Sequence, residues 1–246
     1  MALRFGTEIS LSKNYMIIDI RNLLNGKLTA TDILINDIST YPKDLQKIIQ
    51  RKEFCGEDFL NYFYKYTNYS VIGVHFTRLF DYEIKDIISN GLHSDTTSDY
   101  ERKIKRMPVE FDCYKNELIE YVSYPYNKRS DGNIYFDVGK IEIADKNNIF
   151  LKNWGGETLY CFYDTFERTE QGLQLASILR KFTIPCLVIV KVNAYQFFDK
   201  FLDIYGLIEN IKNNTLTDYS NEFNILADEV SVISVIPVKY KNKDVS

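Results

Sequence analysis

The chain has 246 residues, 45% of them hydrophobic, which suffices for one large domain or a domain with a small appendage. It carries 30 Lys and Arg against 34 Asp and Glu, and the net charge of −4 argues against broad, non-specific binding to nucleic acid. The four cysteines lack zinc-site spacing and no apolar run reaches roughly 20 residues, so we expect a reduced, cytoplasmic protein with no bound metal and no membrane segment.

Residues 1–69 are expected to form a helical N-terminal subdomain. Thr29 or Thr31 can cap a short helix that continues through Ile38. Pro42 opens a second helix over residues 43–51, and a third begins after Gly56. Aromatic residues recur at helical spacing in the third helix, which predicts a core or packing face. A surface for a protein partner is the alternative interpretation of these N-terminal helices.

From residue 70 the pattern changes to mixed strands and helices, which predicts a second domain over residues 70–246 and an α+β fold. Predicted strands cover residues 71–76, 133–138, 185–192, 224–226 and 230–238. Predicted helices cover residues 82–89, 171–182 and 194–213. The strand over 185–192 is strongly apolar and β-branched, so we expect it to be central.

The first strand of this domain ends in a polar pair. The segment Gly73-Val74-His75-Phe76-Thr77-Arg78-Leu79 contains one of the two histidines of the chain and leads into a helix. His75 and Thr77 are two residues apart, so on a strand they point to the same face. This arrangement predicts either a ligand-binding strand edge or a hydrogen-bonded core histidine at the end of a strand.

Three short motifs follow one another in a characteristic order. His75-Phe76-Thr77 precedes Ile87 and Gly91-Leu92, a strand follows with Gly132-Asn133-Ile134-Tyr135-Phe136-Asp137, and Asn221-Glu222-Phe223 precedes the last apolar strand. Together they resemble the ADP-ribosyltransferase superfamily, in the branch marked by His, Tyr and Glu that includes poly(ADP-ribose) polymerases, RNA 2′-phosphotransferases and DNA-modifying toxins. Phe76 departs from the small residue usual at its position, and the serine-rich helix usual after Tyr135-Phe136 is missing.

The segment Trp154-Gly155-Gly156-Glu157-Thr158-Leu159-Tyr160 contains the only tryptophan. It is similar to a W-G-G-E segment in uncharacterised bacterial proteins that also carry H-x-T-R-L. Paired glycines permit unusual backbone angles or close approach to a ligand. Trp154 and Tyr160 are therefore candidate cofactor-binding residues, and a tight turn with a packing tryptophan is the alternative.

The resemblance implies a split antiparallel β-sandwich that binds NAD as a substrate. It implies that His75, assisted by Thr77, hydrogen-bonds the ribose of the adenosine half, and that Gly73 lets the strand edge approach the ligand. Tyr135 or Tyr160 would stack on the nicotinamide ring. Arg78 could bind the pyrophosphate, or could be a surface arginine or a partner of Glu83.

The implied reaction releases nicotinamide and leaves an oxocarbenium-like sugar, which a carboxylate stabilises electrostatically. Glu222 is the first candidate for this catalytic role and Glu157 the second, while His75 positions the substrate. The resemblance thus implies an enzyme that transfers ADP-ribose to an unidentified protein or nucleic acid, or hydrolyses NAD, in the setting of a toxin or a phage-defence or counter-defence effector. The alternative is a non-catalytic module on the same fold that binds nucleotides, ADP-ribose or a protein.

Overall fold

A computed structural model gives the fold. It describes residues 9–11, 16–18, 20–24, 26–93, 96–124, 133–138, 141–143, 151, 153–155, 159, 168–201, 203–213, 223–226 and 230–240.

The strands of this part of the chain come from both its N-terminal and its C-terminal segments. In chain order they are β1 (Ile9–Leu11), β2 (Met16–Ile18), β3 (Asp32–Ile33), β4 (Ser70–Leu79), β5 (Asn133–Val138), β6 (Ile141–Ile143), β7 (Ile184–Asn193), β8 (Phe223–Leu226) and β9 (Val230–Tyr240).

These strands form a seven-stranded sheet in the order β1-β9-β7-β4-β5-β8, in which β3 also pairs with β4. A separate two-stranded sheet joins β2 to β6. The pairs β1/β9 and β3/β4 are parallel, and the other pairs of the large sheet are antiparallel. The predicted α+β class is compatible with this architecture, although the sheet is mixed rather than wholly antiparallel.

The centre of the sheet is the ladder between β4 and β7, which runs from Ser70 opposite Asn193 to Leu79 opposite Ile184. Strand β7 lies between β4 and β9 and is buried along most of its length. Its run of β-branched residues suits a strand that is covered on both faces. The prediction of a central strand here is confirmed.

The helices connect and cover these strands. In chain order they are α1 (Ile20–Leu23), α2 (Lys43–Ile49), α3 (Gly56–Lys65), α4 (Asp81–Asn90), α5 (Thr97–Lys105), α6 (Asp112–Ser123), α7 (Glu170–Phe182), α8 (Ala194–Asp199) and α9 (Ile204–Asn213). Short 3-10 helices cover Ile38–Thr40 and Val109–Phe111. None of these helices, in the part of the chain that the structure describes, is both long and apolar enough to cross a bilayer.

The side chains form three apolar cores. The first lies on the face of the sheet that carries Val71 and Val188, and helices α2, α3, α8 and α9 cover it. The second lies on the opposite face, which carries Ile72 and Leu187, and includes residues around α1. The third is built mainly from α5, α6 and α7 around Trp154.

Described residues on both sides of the predicted boundary at residues 69 and 70 pack together. Ile33 and Phe59 belong to the same core as Val71, and both β1 and β3 pair with strands of the large sheet. The described N-terminal residues thus include short strands as well as helices.

Helices α2 and α3 confirm two of the predicted N-terminal helices, but the helix expected from Thr29 or Thr31 through Ile38 is wrong. Asp32 and Ile33 pair with the start of β4 instead. The backbone N–H of Thr29 donates to Asp32 Oδ2 at 2.7 Å, so a turn forms where a helix cap was expected. Pairing with β4 outweighs the weak local helix signal.

Candidate functional site

Strand β4 presents His75 and Thr77 side by side on the face of the first core. In the ladder with β7 they lie opposite Val188 and Cys186. Both polar side chains are half-buried, whereas Val74 and Phe76 on the other face are buried. Two neighbouring hydrogen-bonding side chains are thus partly accessible on a strand whose other residues from Val71 to Leu79 are buried.

The sheet divides beside His75. Strands β4 and β5 pair at Gly73 with Val138 and at Val74 with Asp137, where their described ladder ends. Strand β5 pairs onward with β8. His75 is the first residue of β4 beyond the last β4–β5 pair, so its side chain stands where the two strands separate.

The far side of this division is formed by β5 and β8. Phe136 adjoins the last residue of β5 that pairs with β4, and it pairs with Phe223, the first residue of β8. The residue that directly follows Glu222 in sequence therefore lies one strand beyond the point where β4 and β5 separate.

Gly73 makes room for an aromatic ring of the same chain. A Cβ built on Gly73 would lie 2.3 Å from Cδ2 of Phe136. Phe136 is buried and its ring centroid is 6.4 Å from that of Phe197 on α8. The absence of a side chain at residue 73 is thus required by the packing of Phe136, independently of any ligand.

Helices adjoin both ends of β4 on the face of His75. The N–H of Ala194, at the start of α8, donates to the carbonyl of Tyr69 at 2.9 Å, just before β4 begins. Helix α4 begins directly after β4, contacts β4 and β9, and contributes the buried Ile84 to the first core. It ends at Asn90, and the following Gly91 has a φ of +87°, a backbone angle that favours glycine. The half-buried pair thus lies between these two helices.

Arg78 lies on the other face of β4 and is buried. Its Nε donates to Thr183 Oγ1 at 2.6 Å, and its Nη atoms donate to the carbonyls of Leu151 at 3.0 Å, Thr183 at 2.9 Å and Arg180 at 2.5 Å. These contacts tie β4 to α7 and to Leu151. Arg78 therefore acts as a structural clamp, and alternation along β4 directs it away from the face of His75.

Trp154 is also a core residue. It is 1% exposed, its Nε1 donates to Glu83 Oε2 at 2.8 Å, and its ring centroid lies 5.6 Å from that of Phe80. Phe80 follows His75 by five residues along an extended chain, a path of about 17 Å. The third core thus holds Trp154 apart from the half-buried pair, as a packing tryptophan.

The turn that follows Trp154 is fixed from two sides. Gly155 has a φ of +90°, and a Cβ there would lie 2.3 Å from Cδ1 of the buried Leu159. The carbonyl of Gly155 accepts a hydrogen bond from the hydroxyl of Tyr100 at 3.1 Å. A glycine is needed here for its backbone angle and for space.

Glu83, expected only as a possible partner of Arg78, is buried and accepts hydrogen bonds from other residues. Besides the Trp154 indole, Glu83 Oε2 accepts the N–H of Phe80 at 2.9 Å, and Oε1 lies 3.5 Å from Lys103 Nζ. The sequence signal for this role is a glutamate in the first turn of a helix, three residues after the N-cap, where its carboxylate can accept the N–H of the N-cap residue.

The remaining predicted site residues lie outside the described residues or lack a described side chain. Glu157, Tyr160 and Glu222 are outside them, and Tyr135 is described only as a backbone position in β5. His93, the second histidine, is exposed.

Across the described ranges, no group of three or more His, Cys, Asp or Glu side chains could hold a metal ion. Comparison of the chain with protein-family models, with curated proteins and with solved structures gave no match.

Proposed function

We propose that the chain is an NAD-dependent ADP-ribosyltransferase that modifies a protein or a nucleic acid, with the split-sheet fold of that superfamily. The observation that supports this proposal best is the half-buried pair His75 and Thr77 at the point where β4 and β5 separate. A division in a sheet, lined by hydrogen-bonding side chains, can admit a flat ring or a sugar between the strands.

In this proposal His75 and Thr77 hydrogen-bond the ribose of the adenosine half, and Tyr135 on β5 stacks on the nicotinamide. His75 positions the substrate and transfers no proton, so its neutral form is sufficient. Arg78 and Trp154 are not assigned to the ligand, because their described contacts hold the protein itself together. The pyrophosphate therefore needs another partner.

The two candidate carboxylates would need different paths of the chain to reach the site. Glu222 precedes Phe223, which pairs with Phe136 beside the division between β4 and β5. Because side chains alternate along a strand, an unbroken extension of β8 would direct residue 222 to the opposite face. Catalysis by Glu222 thus requires a change of direction just before Phe223, whereas Glu157 would have to approach from the third core.

The test is incubation of the purified full chain with NAD and measurement of released nicotinamide. Glu222→Gln and Glu157→Gln are compared with Glu209→Gln, an exposed glutamate on α9. Loss of one preorganised charge contact typically costs on the order of 3 kcal/mol, so the catalytic variant should release nicotinamide at least about 100-fold more slowly. The Glu209 variant should match wild type.

A His75→Ala variant separates binding from chemistry. We expect weaker NAD binding, measured by calorimetry, because the variant removes a ribose contact. NAD binding without nicotinamide release would favour the non-catalytic binding module. Absence of both binding and release would refute the proposal, including the toxin or phage-defence setting that accompanies it, and would leave a protein-interaction role.

A further inference from the structure

Residues 96–124 form a helical hairpin that the chain inserts between α4 and β5. Helix α5 and helix α6 contact each other and are joined through the 3-10 helix Val109–Phe111. A capping box starts the hairpin: the Thr96 side chain accepts the N–H of Asp99, and the Asp99 side chain accepts the N–H of Thr96. The hairpin therefore has its own start signal and its own internal packing.

The apolar side of the hairpin belongs to the third core and not to the two cores of the sheet. Ile104, Phe111 and Leu118 are fully buried there, against Trp154 and residues of α7. The first and second cores are built on the two faces of the sheet and contain no residue of the hairpin among their described members. The sheet can thus keep its cores if the hairpin separates from it.

The described hydrogen bonds that join the hairpin to the rest of the protein all use side chains. The Tyr82 hydroxyl donates to the Lys103 carbonyl at 3.4 Å, and the Tyr100 hydroxyl donates to the Gly155 carbonyl at 3.1 Å. Glu83, which is 5% exposed, links Lys103 of the hairpin to Trp154 of the third core. By contrast, β4 and β7 share a continuous backbone ladder ten residues long.

We propose that the hairpin opens as a unit while the sheet stays folded, and that Glu83 is the latch that keeps it closed. Glu83 is a nearly buried carboxylate on α4 that faces donors on both sides of the joint, Lys103 and the Trp154 indole. Removing its charge weakens its contact with Lys103 across the joint. The pair joins a nearly buried carboxylate to a partly exposed ammonium group at 3.5 Å, so its attraction adds to the apolar packing of the third core in holding the hairpin closed. This inference does not depend on the proposed function.

Native-state amide hydrogen exchange of the full chain tests the proposal directly. In wild type, amides of α5 and α6 should exchange with a lower opening free energy than amides of β7. Glu83→Gln should speed exchange in the hairpin at least about tenfold and leave β7 unchanged. Glu120→Gln, an exposed glutamate on α6, is the matched control and should change neither region. Equal opening free energies for the hairpin and β7 in wild type would overturn the proposal, as would an equal acceleration of both by Glu83→Gln.

The single tryptophan provides a second measurement that needs no variant. Trp154 lies beside the joint and is 1% exposed, so opening should admit a quencher to its ring. In wild type at urea concentrations below the main transition, acrylamide quenching of Trp154 should rise before the far-ultraviolet circular dichroism of the sheet changes. Coincident changes of the two signals would show that hairpin and sheet unfold together, and would refute the latch even if Glu83→Gln failed to fold.

Discussion

Replacing Gly73 by alanine tests the packing at the point where the sheet divides. The new Cβ would lie 2.3 Å and 2.8 Å from two carbons of the Phe136 ring, and 3.0 Å from the carbonyl oxygen of Asp137. The ring is 3% exposed and belongs to the first core, so it cannot turn into solvent. Either the ring or the backbone of β4 must move.

Two opposing effects set the magnitude. Alanine restricts the unfolded chain more than glycine does, which favours the variant by about 0.5–1 kcal/mol in a strand. Overpacking of a filled core typically costs about 1–3 kcal/mol. Because two contacts with a buried ring fall well below van der Waals distance, we expect overpacking to win, with a net loss of about 1–2 kcal/mol in the free energy of unfolding.

The assay is urea unfolding followed by circular dichroism, in a double-mutant cycle with Phe136→Leu. The smaller leucine side chain should relieve the ring contacts, so Gly73→Ala should cost less in the Phe136→Leu background than in wild type. The contact with the Asp137 carbonyl remains, so part of the cost should persist. We expect a coupling free energy of at least about 0.5 kcal/mol.

Two results would refute this reasoning. A Gly73→Ala protein as stable as wild type would mean that the ring does not occupy the space above residue 73. Strict additivity of the two substitutions would mean that the cost arises elsewhere, for example from the backbone of β4 alone.

Two further predictions concern buried polar groups. Arg78→Lys should lower the free energy of unfolding by about 2–4 kcal/mol, because one ammonium group cannot replace the guanidinium contacts with several carbonyls. The control is Arg51→Lys at an exposed ion pair, which should change the free energy of unfolding by less than about 1 kcal/mol. Equal losses of unfolding free energy for Arg78→Lys and Arg51→Lys, measured by urea unfolding, would contradict the structural role of Arg78. Burial raises the pKa of the Cys186 thiol to about 12, although the nearby Arg78 lowers it, so the thiol stays protonated at neutral pH. Ellman's reagent should therefore modify the exposed Cys113 in the folded protein but not Cys186. Detection of modified Cys186 in folded protein by mass spectrometry would contradict this.

Elements with strong local signals could be predicted from the sequence. Helices α2, α3 and α4 are flanked by residues that favour helix ends, such as Pro42 before α2 and Gly91 after α4. Each also has apolar residues at helical spacing along one side. Strands β4 and β7 are long and rich in β-branched residues, so their length and their composition both predict strands. In these elements local preference and tertiary packing favour the same structure.

The short N-terminal strands could not be predicted, because their partners are distant in sequence. Strand β1 covers three residues and pairs in parallel with the end of β9, where Ile9 lies opposite Val238. Strand β3 covers two residues, and Ile33 pairs with Val71. A strand this short has no detectable period, and a parallel partner leaves no turn signal beside it.

At the candidate site, the alternation of side chains along β4 divides the predicted residues between the two faces of the strand. It correctly places His75 and Thr77 together, and the same rule places Arg78 on the opposite face, where the structure finds it bound to the protein's own carbonyls. A single β4 therefore cannot supply both a ribose contact from His75 and a pyrophosphate contact from Arg78 on one side of the sheet. A dinucleotide bound beside His75 must take its phosphate contacts from other elements that adjoin this face. If NAD binding depends on Arg78 beyond its effect on stability, measured with Arg78→Lys under conditions where it stays folded, the ligand crosses the gap between β4 and β5 and contacts both faces of the strand.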